Sequence, residues 1–164
     1  MTREEVLDLF DQYHDQVYRL ALTITRSHQD GEDMVQTVFL KLLTGATRPQ
    51  PGKEKAWLCQ ITVNCCRDLL RARKRRAWEP LETAKLPPVA GPEERELLEA
   101  VLALPDKYRA AVHLHYYEGY TTQEIGAMLG VSPSAVSMRL HRARKLLEES
   151  LKEEFYEDPL SQHL

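Results

Sequence analysis

Between Thr121 and Lys145 the chain carries two helix starts and one helix stop in close succession, and this pattern leaves few folds open. Thr121-Thr122-Gln123-Glu124 has the form of a capping box, with Thr121 as N-cap and Glu124 reaching back from the third helical position. Ile125 and Leu129 follow at helical spacing, and Gly130 stands where the chain must turn with positive φ. Ser132-Pro133 then supplies a hydroxyl cap and a proline at the first helical position, where its missing N–H costs nothing. The helix so opened places Val136, Leu140, Ala143 and Leu147 on one apolar stripe. Its other faces carry Ser134, Ser137, Arg139, His141, Arg142, Arg144 and Lys145. The expectation is a helix-turn-helix whose second helix can enter a DNA groove. A helical hairpin with a solvated basic face is the plainer alternative.

Bulk composition does not suggest nucleic acid: the 164 residues carry a net charge of -3, are 43% hydrophobic and 29% charged, and so read as globular. Charge placement reverses that impression. Arg67 to Arg76 hold six cations (Arg67, Arg71, Arg73, Lys74, Arg75, Arg76) against Asp68 alone, and Arg139 to Lys145 hold four cations and no acid. Acids collect at Asp30-Gly31-Glu32-Asp33 and from Glu153 to Asp158. Basic patches on an otherwise acidic chain point to DNA and to a second, protein partner.

Periodicity is helical throughout, which predicts an all-α protein of two small helical domains. Thr2-Arg3-Glu4-Glu5 is another capping box, followed by a stripe of Val6, Phe10, Tyr13, Val17, Leu20, Ala21 and Ile24. A second helix, capped by Asp30, is expected to about Leu43, with Met34, Val35, Val38, Phe39, Leu42 and Leu43 as its apolar pairs. Residues 44–53 read as a loop, and a third helix runs from about Lys55 to Arg76 with Trp57, Leu58, Ile61, Cys65 and Leu69 as its core side. These define a first domain over 1–78. Residues 79–92, with Pro80, Pro87, Pro88, Gly91 and Pro92, form a proline-rich linker. The second domain, 93–153, opens with Leu97, Leu98, Val101 and Leu102, continues with Tyr108, Ala111, Val112 and Tyr116, and ends in the helix-turn-helix. The acidic tail reads as a frayed terminus.

Other chemistries find little support. The odd set Cys59, Cys65 and Cys66 contains no Cys-x-x-Cys and predicts reduced, partly buried thiols; His113 and His115 point to different faces of one helix. No metal site, cofactor or enzymatic constellation is expected. Neither a signal peptide nor a membrane-inserted segment is evident, so a cytoplasmic protein is expected.

Three stretches together resemble the extracytoplasmic-function (ECF) sigma factors, the smallest type of the sigma-70 family. Gly31 to Leu40 is similar to the family's acidic polymerase-binding helix. Trp57 to Asn64, with Arg71, Lys74 and Arg75, is similar to its promoter helix. Leu104-Pro105 to Tyr108, Tyr117 to Thr121, Glu124-Ile125 and Arg139 to Arg144 resemble its second DNA-binding domain. The resemblance implies an RNA polymerase sigma factor that directs core polymerase to promoters and initiates transcription. Asp33, Gln36, Thr37, Leu40 and Lys41 would dock on the clamp of the β′ subunit, and the second domain would meet the β flap. Trp57, Gln60, Asn64, Arg67, Arg71, Lys74 and Arg75 would bind the minus-ten element, with the preceding loop holding a flipped base. Thr121, Ser132, Ser134, Ser137, Met138, Arg139, His141, Arg142 and Arg144 would bind the minus-thirty-five element. An anti-sigma factor is an expected partner. Thr37 stands where the pattern commonly has Glu, Thr62 and Gly126 where it has Ala, and Ala135 where it often has Thr. An autonomous helix-turn-helix regulator is the main rival reading, and a polymerase-docking adaptor a weaker one.

Overall fold

The computed structural model describes residues 1–45, 48–75 and 92–157, in the case of Arg75, 92–94 and 152–157 by their backbone alone. Seven α-helices and no strand occur among the described residues. They form two compact units, α1–α3 and α4–α7. The expected linker lies outside the described residues, apart from Pro92, which opens α4.

In the first unit, α1 (Arg3–Thr25) begins with the expected capping box: Thr2 Oγ1 accepts from the Glu5 amide and Glu5 accepts from the Thr2 amide. It ends at Arg26, held at φ 59° with its amide donating to the Leu22 carbonyl at 2.8 Å. A non-glycine residue closes the helix here in the left-handed region, a conformation most side chains resist. Helices α2 (His28–Leu43) and α3 (Glu54–Arg75) pack on α1 and on each other. The shared core is made by Val6, Leu9, Val17, Leu20, Met34, Val38, Phe39, Leu42, Leu58 and Val63, all buried.

Several expectations are corrected. Phe10 lies on the edge of the core, 36% exposed, and packs edge-to-face on Phe39, while Leu9 takes the interior position. Leu43 is exposed and Val35 only half-buried. Ser27, not Asp30, caps α2: its hydroxyl accepts from the Asp30 amide at 3.2 Å. The buried side of α3 is rotated from the one expected. Leu58, Cys59, Thr62, Val63, Cys65 and Cys66 are interior, whereas Trp57, Ile61 and Leu69 are half-buried. Thr62, fully buried, satisfies its hydroxyl by donating to the Leu58 carbonyl one turn back at 2.6 Å, so the polar atom enters the core without an orphaned donor.

The second unit comprises α4 (Pro92–Leu102), α5 (Asp106–Val112), α6 (Thr122–Leu129) and α7 (Pro133–Glu157), with a π-helical turn at His113–Tyr117 continuing α5. Helix α7 packs against α4, α5 and α6. The π-turn widens the helix by about one residue and rotates the side chains beyond it. Tyr116 therefore falls to solvent, 55% exposed, rather than on the apolar side. The turn keeps His113 and Leu114 inside, with His113 stacked on Tyr117 at 4.9 Å between ring centroids. Helix α7 continues through most of the acidic tail to Glu157, where a frayed end was expected.

Candidate nucleic-acid interface

Helix α2 carries the first candidate surface. Asp33, Gln36, Leu40 and Lys41 are exposed on it, and Thr37 is half-exposed. The Thr37 hydroxyl donates to the Asp33 carbonyl at 2.9 Å, so in the free chain it is turned along its own helix. The opposite side of α2 bears Met34, Val38 and Leu42 and holds the helix to the core. The result is a small face with an acid, an amide and an exposed leucine, fixed on a rigid support.

The second surface is the outer side of α3. Gln60, Asn64, Arg71 and Lys74 are exposed, and Trp57 and Arg67 are half-buried. Arg75 is placed by its backbone alone, at the end of the helix. Gln60, Asn64, Arg67 and Arg71 recur every three or four residues and line one side of the helix. Arg73 does not belong to this surface. It turns inward to Asp30 at the start of α2, with Nη2 donating to Oδ1 at 2.6 Å and Nη1 2.5 Å from Oδ2. The Asp30 side chain is only 10% exposed. One member of the basic run is thus a strut between α2 and α3. Sequence carried a signal for this: Asp30 falls on the Met34–Val38–Leu42 stripe, and Arg73 continues the Leu58–Thr62–Cys66 side of α3. A charge on an apolar stripe implies an internal partner.

The third surface is built by α6 and α7. Thr121 and Glu124 form the predicted reciprocal cap, each bond 3.2 Å long. Gly130 sits at φ 70°, and its amide closes α6 on the Gly126 carbonyl. Ser132 caps α7 by accepting from the Ala135 amide at 3.1 Å. Both cap hydroxyls keep an O–H available to a phosphate. Val136, Leu140 and Ala143 are buried, which turns Ser134, Ser137, Met138, His141 and Arg142 outward. Arg139 is half-buried at the flank. Arg144 is exposed but lies over the Tyr116 ring, 5.8 Å from its centroid, on the side toward the π-turn. It stands apart from the serine–methionine–histidine ridge.

Two residues that support this surface were not among the site residues expected from sequence, although Gly126 was noted as a departure from the family pattern. Gly126 is buried where the inter-helix turn passes closest: a Cβ there would meet the Val131 carbonyl oxygen at 2.7 Å. Arg109 is 1% exposed; it donates to the Leu104 carbonyl at 2.8 Å and meets Asp106 at 2.8 Å. It ties the start of α5 to the end of α4. Its neighbour Tyr108 marks the apolar stripe, but nothing in the local pattern shows that a guanidinium beside it folds back on a carbonyl.

The thiols lie away from these surfaces. Cys59, Cys65 and Cys66 form no disulfide and are buried, and burial, the neighbouring Cys65 and Asp30 push the Cys66 thiol well up. Among the described residues no group of three His, Cys, Asp or Glu side chains is placed to hold a metal ion, and no helix is long and apolar enough to cross a membrane.

Both units match known families. Residues 9–76 match the sigma-70 region 2 family, and residues 94–147 match sigma-70, region 4. The RNA polymerase sigma factor CarQ of Myxococcus xanthus is 34% identical over 154 residues, a match covering 89% of this chain and 88% of that protein. This chain belongs to the sigma-70 family, in its ECF group. The ECF RNA polymerase sigma factor SigE of Mycolicibacterium smegmatis is 36% identical to this sigma factor over 155 residues, covering 88% of the chain but 60% of the longer relative. The fold is shared with the sigma factor RpoE of Bartonella quintana, solved in complex with the anti-sigma factor NepR: the TM-score is 0.73 at 21% identity, over 92% of this chain and 98% of that one. In this sigma factor α1–α3 constitute the bulk of region 2, and α4 to the middle of α7 constitute region 4.

Proposed function

We propose that this protein is the promoter-specificity subunit of a bacterial RNA polymerase and acts in the cytoplasm. The observation that carries the proposal is that region 2 fixes two exposed polar faces, one on α2 and one on α3, on a single core. Its acid–amide face on α2 and its basic face on α3 are held on one three-helix core, so a body docked on polymerase through one face presents the other to DNA. On this reading Asp33, Gln36, Thr37, Leu40 and Lys41 meet the clamp of the β′ subunit. Gln60, Asn64, Arg67, Arg71, Lys74 and Arg75, with Trp57, hold the minus-ten element, where binding of an extruded base offsets an unstacking cost of a few kcal/mol. Helix α7 enters the major groove of the minus-thirty-five element, with Ser132 and Thr121 at the phosphates, and region 4 leans on the β flap. The chain contributes binding only; bond formation belongs to polymerase.

Each DNA surface alone is small, as single modules bury only ~600–1,000 Å². Joining two weak readers on one enzyme raises their effective concentration and enforces their spacing. An anti-sigma factor that covers either face would silence both, and the sigma factor RpoE of Bartonella quintana, which shares this fold, is seen bound to such a partner.

The test is co-elution of the purified chain with bacterial core polymerase. Stoichiometric binding that is lost in Asp33→Ala and Gln36→Ala supports the proposal. No binding to core, together with tight binding of the chain alone to duplex DNA, overturns it in favour of an autonomous regulator.

A further inference from the structure

Met138 is the odd member of the outward ridge of α7. It is 51% exposed, five residues into the helix, and flanked by Ser134 one turn before and by His141 and Arg142 one turn after. The apolar work of this part of α7 is done on the opposite side by Val136, Leu140 and Ala143, which are buried. Met138 therefore lies outside that buried stripe and leaves about half of its surface in solvent in the free protein. Five residues at 1.5 Å rise place it about 7.5 Å from the helix start, within the first two turns that reach base edges when such a helix enters by its N-terminus.

The major-groove edges of the four bases display hydrogen-bonding atoms and one apolar group, the C5-methyl of thymine. Polar neighbours such as Ser134, Ser137 and His141 suit the former. A flexible, polarisable thioether suits the latter and adjusts easily to its position. We infer that Met138 is a specificity-determining residue that reads one thymine of the upstream promoter element through its C5-methyl group. The inference rests on α7 being the major-groove helix of the sigma factor proposed above.

The experiment is selection with the assembled holoenzyme from a promoter library whose upstream element is randomised, followed by single replacements of thymine by deoxyuracil, which remove only the methyl. The wild type enriches thymine at one position. Deoxyuracil there lowers promoter competition about fourfold, the value expected for one buried methyl-sized group. Met138→Gln, close in shape but polar, loses the thymine preference and responds to deoxyuracil by less than twofold, while preferences at other positions persist. Met138→Leu keeps the preference. Because the side chain is exposed, unchanged thermal unfolding of both variants separates readout from folding. A wild type indifferent to deoxyuracil at every thymine overturns the inference, as does an equal response in Met138→Gln. Failure to form holoenzyme, or to enrich any upstream sequence, is a distinct result that removes the underlying sigma reading.

Discussion

Cutting the Asp30–Arg73 strut from either end separates the cost of a stranded charge from the worth of the pair. A fully buried pair loses ~3–5 kcal/mol when one partner is removed, and an exposed pair contributes ~0.2–1 kcal/mol. This pair lies between those limits and is lopsided: the Asp30 side chain is 10% exposed and the Arg73 side chain 39%. Arg73→Ala strands a carboxylate that water barely reaches. The first turn of α2 offsets about 0.5–1 kcal/mol of that, because a helix N-terminus favours negative charge. The expected loss is about 2–3 kcal/mol. Asp30→Asn strands a guanidinium that can swing to solvent, and the new amide oxygen still accepts a hydrogen bond, so about 1 kcal/mol is expected. The double variant Asp30→Asn/Arg73→Ala should lose about 2 kcal/mol, less than the sum of the singles. Urea unfolding followed by tryptophan fluorescence reads this directly, since Trp57 lies in α3 and Trp78 comes after it in sequence. An Asp30→Asn loss equal to or above that of Arg73→Ala would refute the burial argument. Coupling under about 0.3 kcal/mol would refute the strut itself.

Three further outcomes are expected. Gly126→Ala gains about 1 kcal/mol of helix propensity but drives a methyl into the Val131 carbonyl, an overpacking cost of ~1–3 kcal/mol; thermal unfolding of region 4 should fall, and a raised midpoint would show that the turn yields freely. Arg109→Ala opens a cavity, strips the Leu104 carbonyl of its donor and releases Asp106, and should cost about 3 kcal/mol; urea titration showing under 1 kcal/mol would mean that water replaces the guanidinium. Burial raises the folded Cys66 thiol above its ordinary value of 9.0, so stability is unaffected below that pH and declines above it, by up to about 1.4 kcal/mol per pH unit, as the unfolded thiol ionises. A thiol-specific disulfide reagent should accordingly label the three cysteines only as the protein unfolds, and rapid native labelling would contradict their burial.

Sequence alone determined the local devices. Both capping boxes, the Ser132-Pro133 start, the positive-φ Gly130 and the stripe Val136–Leu140–Ala143 appear in the structure as expected, because each depends on residues within one or two turns. The outward direction of Gln36, Gln60, Asn64 and Arg142 comes from the same periodicity. Sequence misjudged the phase of α3 and the fate of single residues on it. Helical period tolerates a rotation of one residue when apolar and polar positions are mixed, and only the close fit against α1 and α2 selected Cys59, Thr62 and Cys66 for the interior over Trp57 and Ile61. Tertiary structure likewise decided that Asp30 is a strut rather than a cap and that Arg73, a member of the basic run, turns inward to meet it. It also seated Arg109 on the Leu104 carbonyl and turned Tyr116 outward past the π-turn. These depend on which side chain stands opposite a charge or a carbonyl on another helix. Local propensity holds no record of that opposition, because burial of a charge is tolerated only when a partner from elsewhere in the chain arrives to meet it.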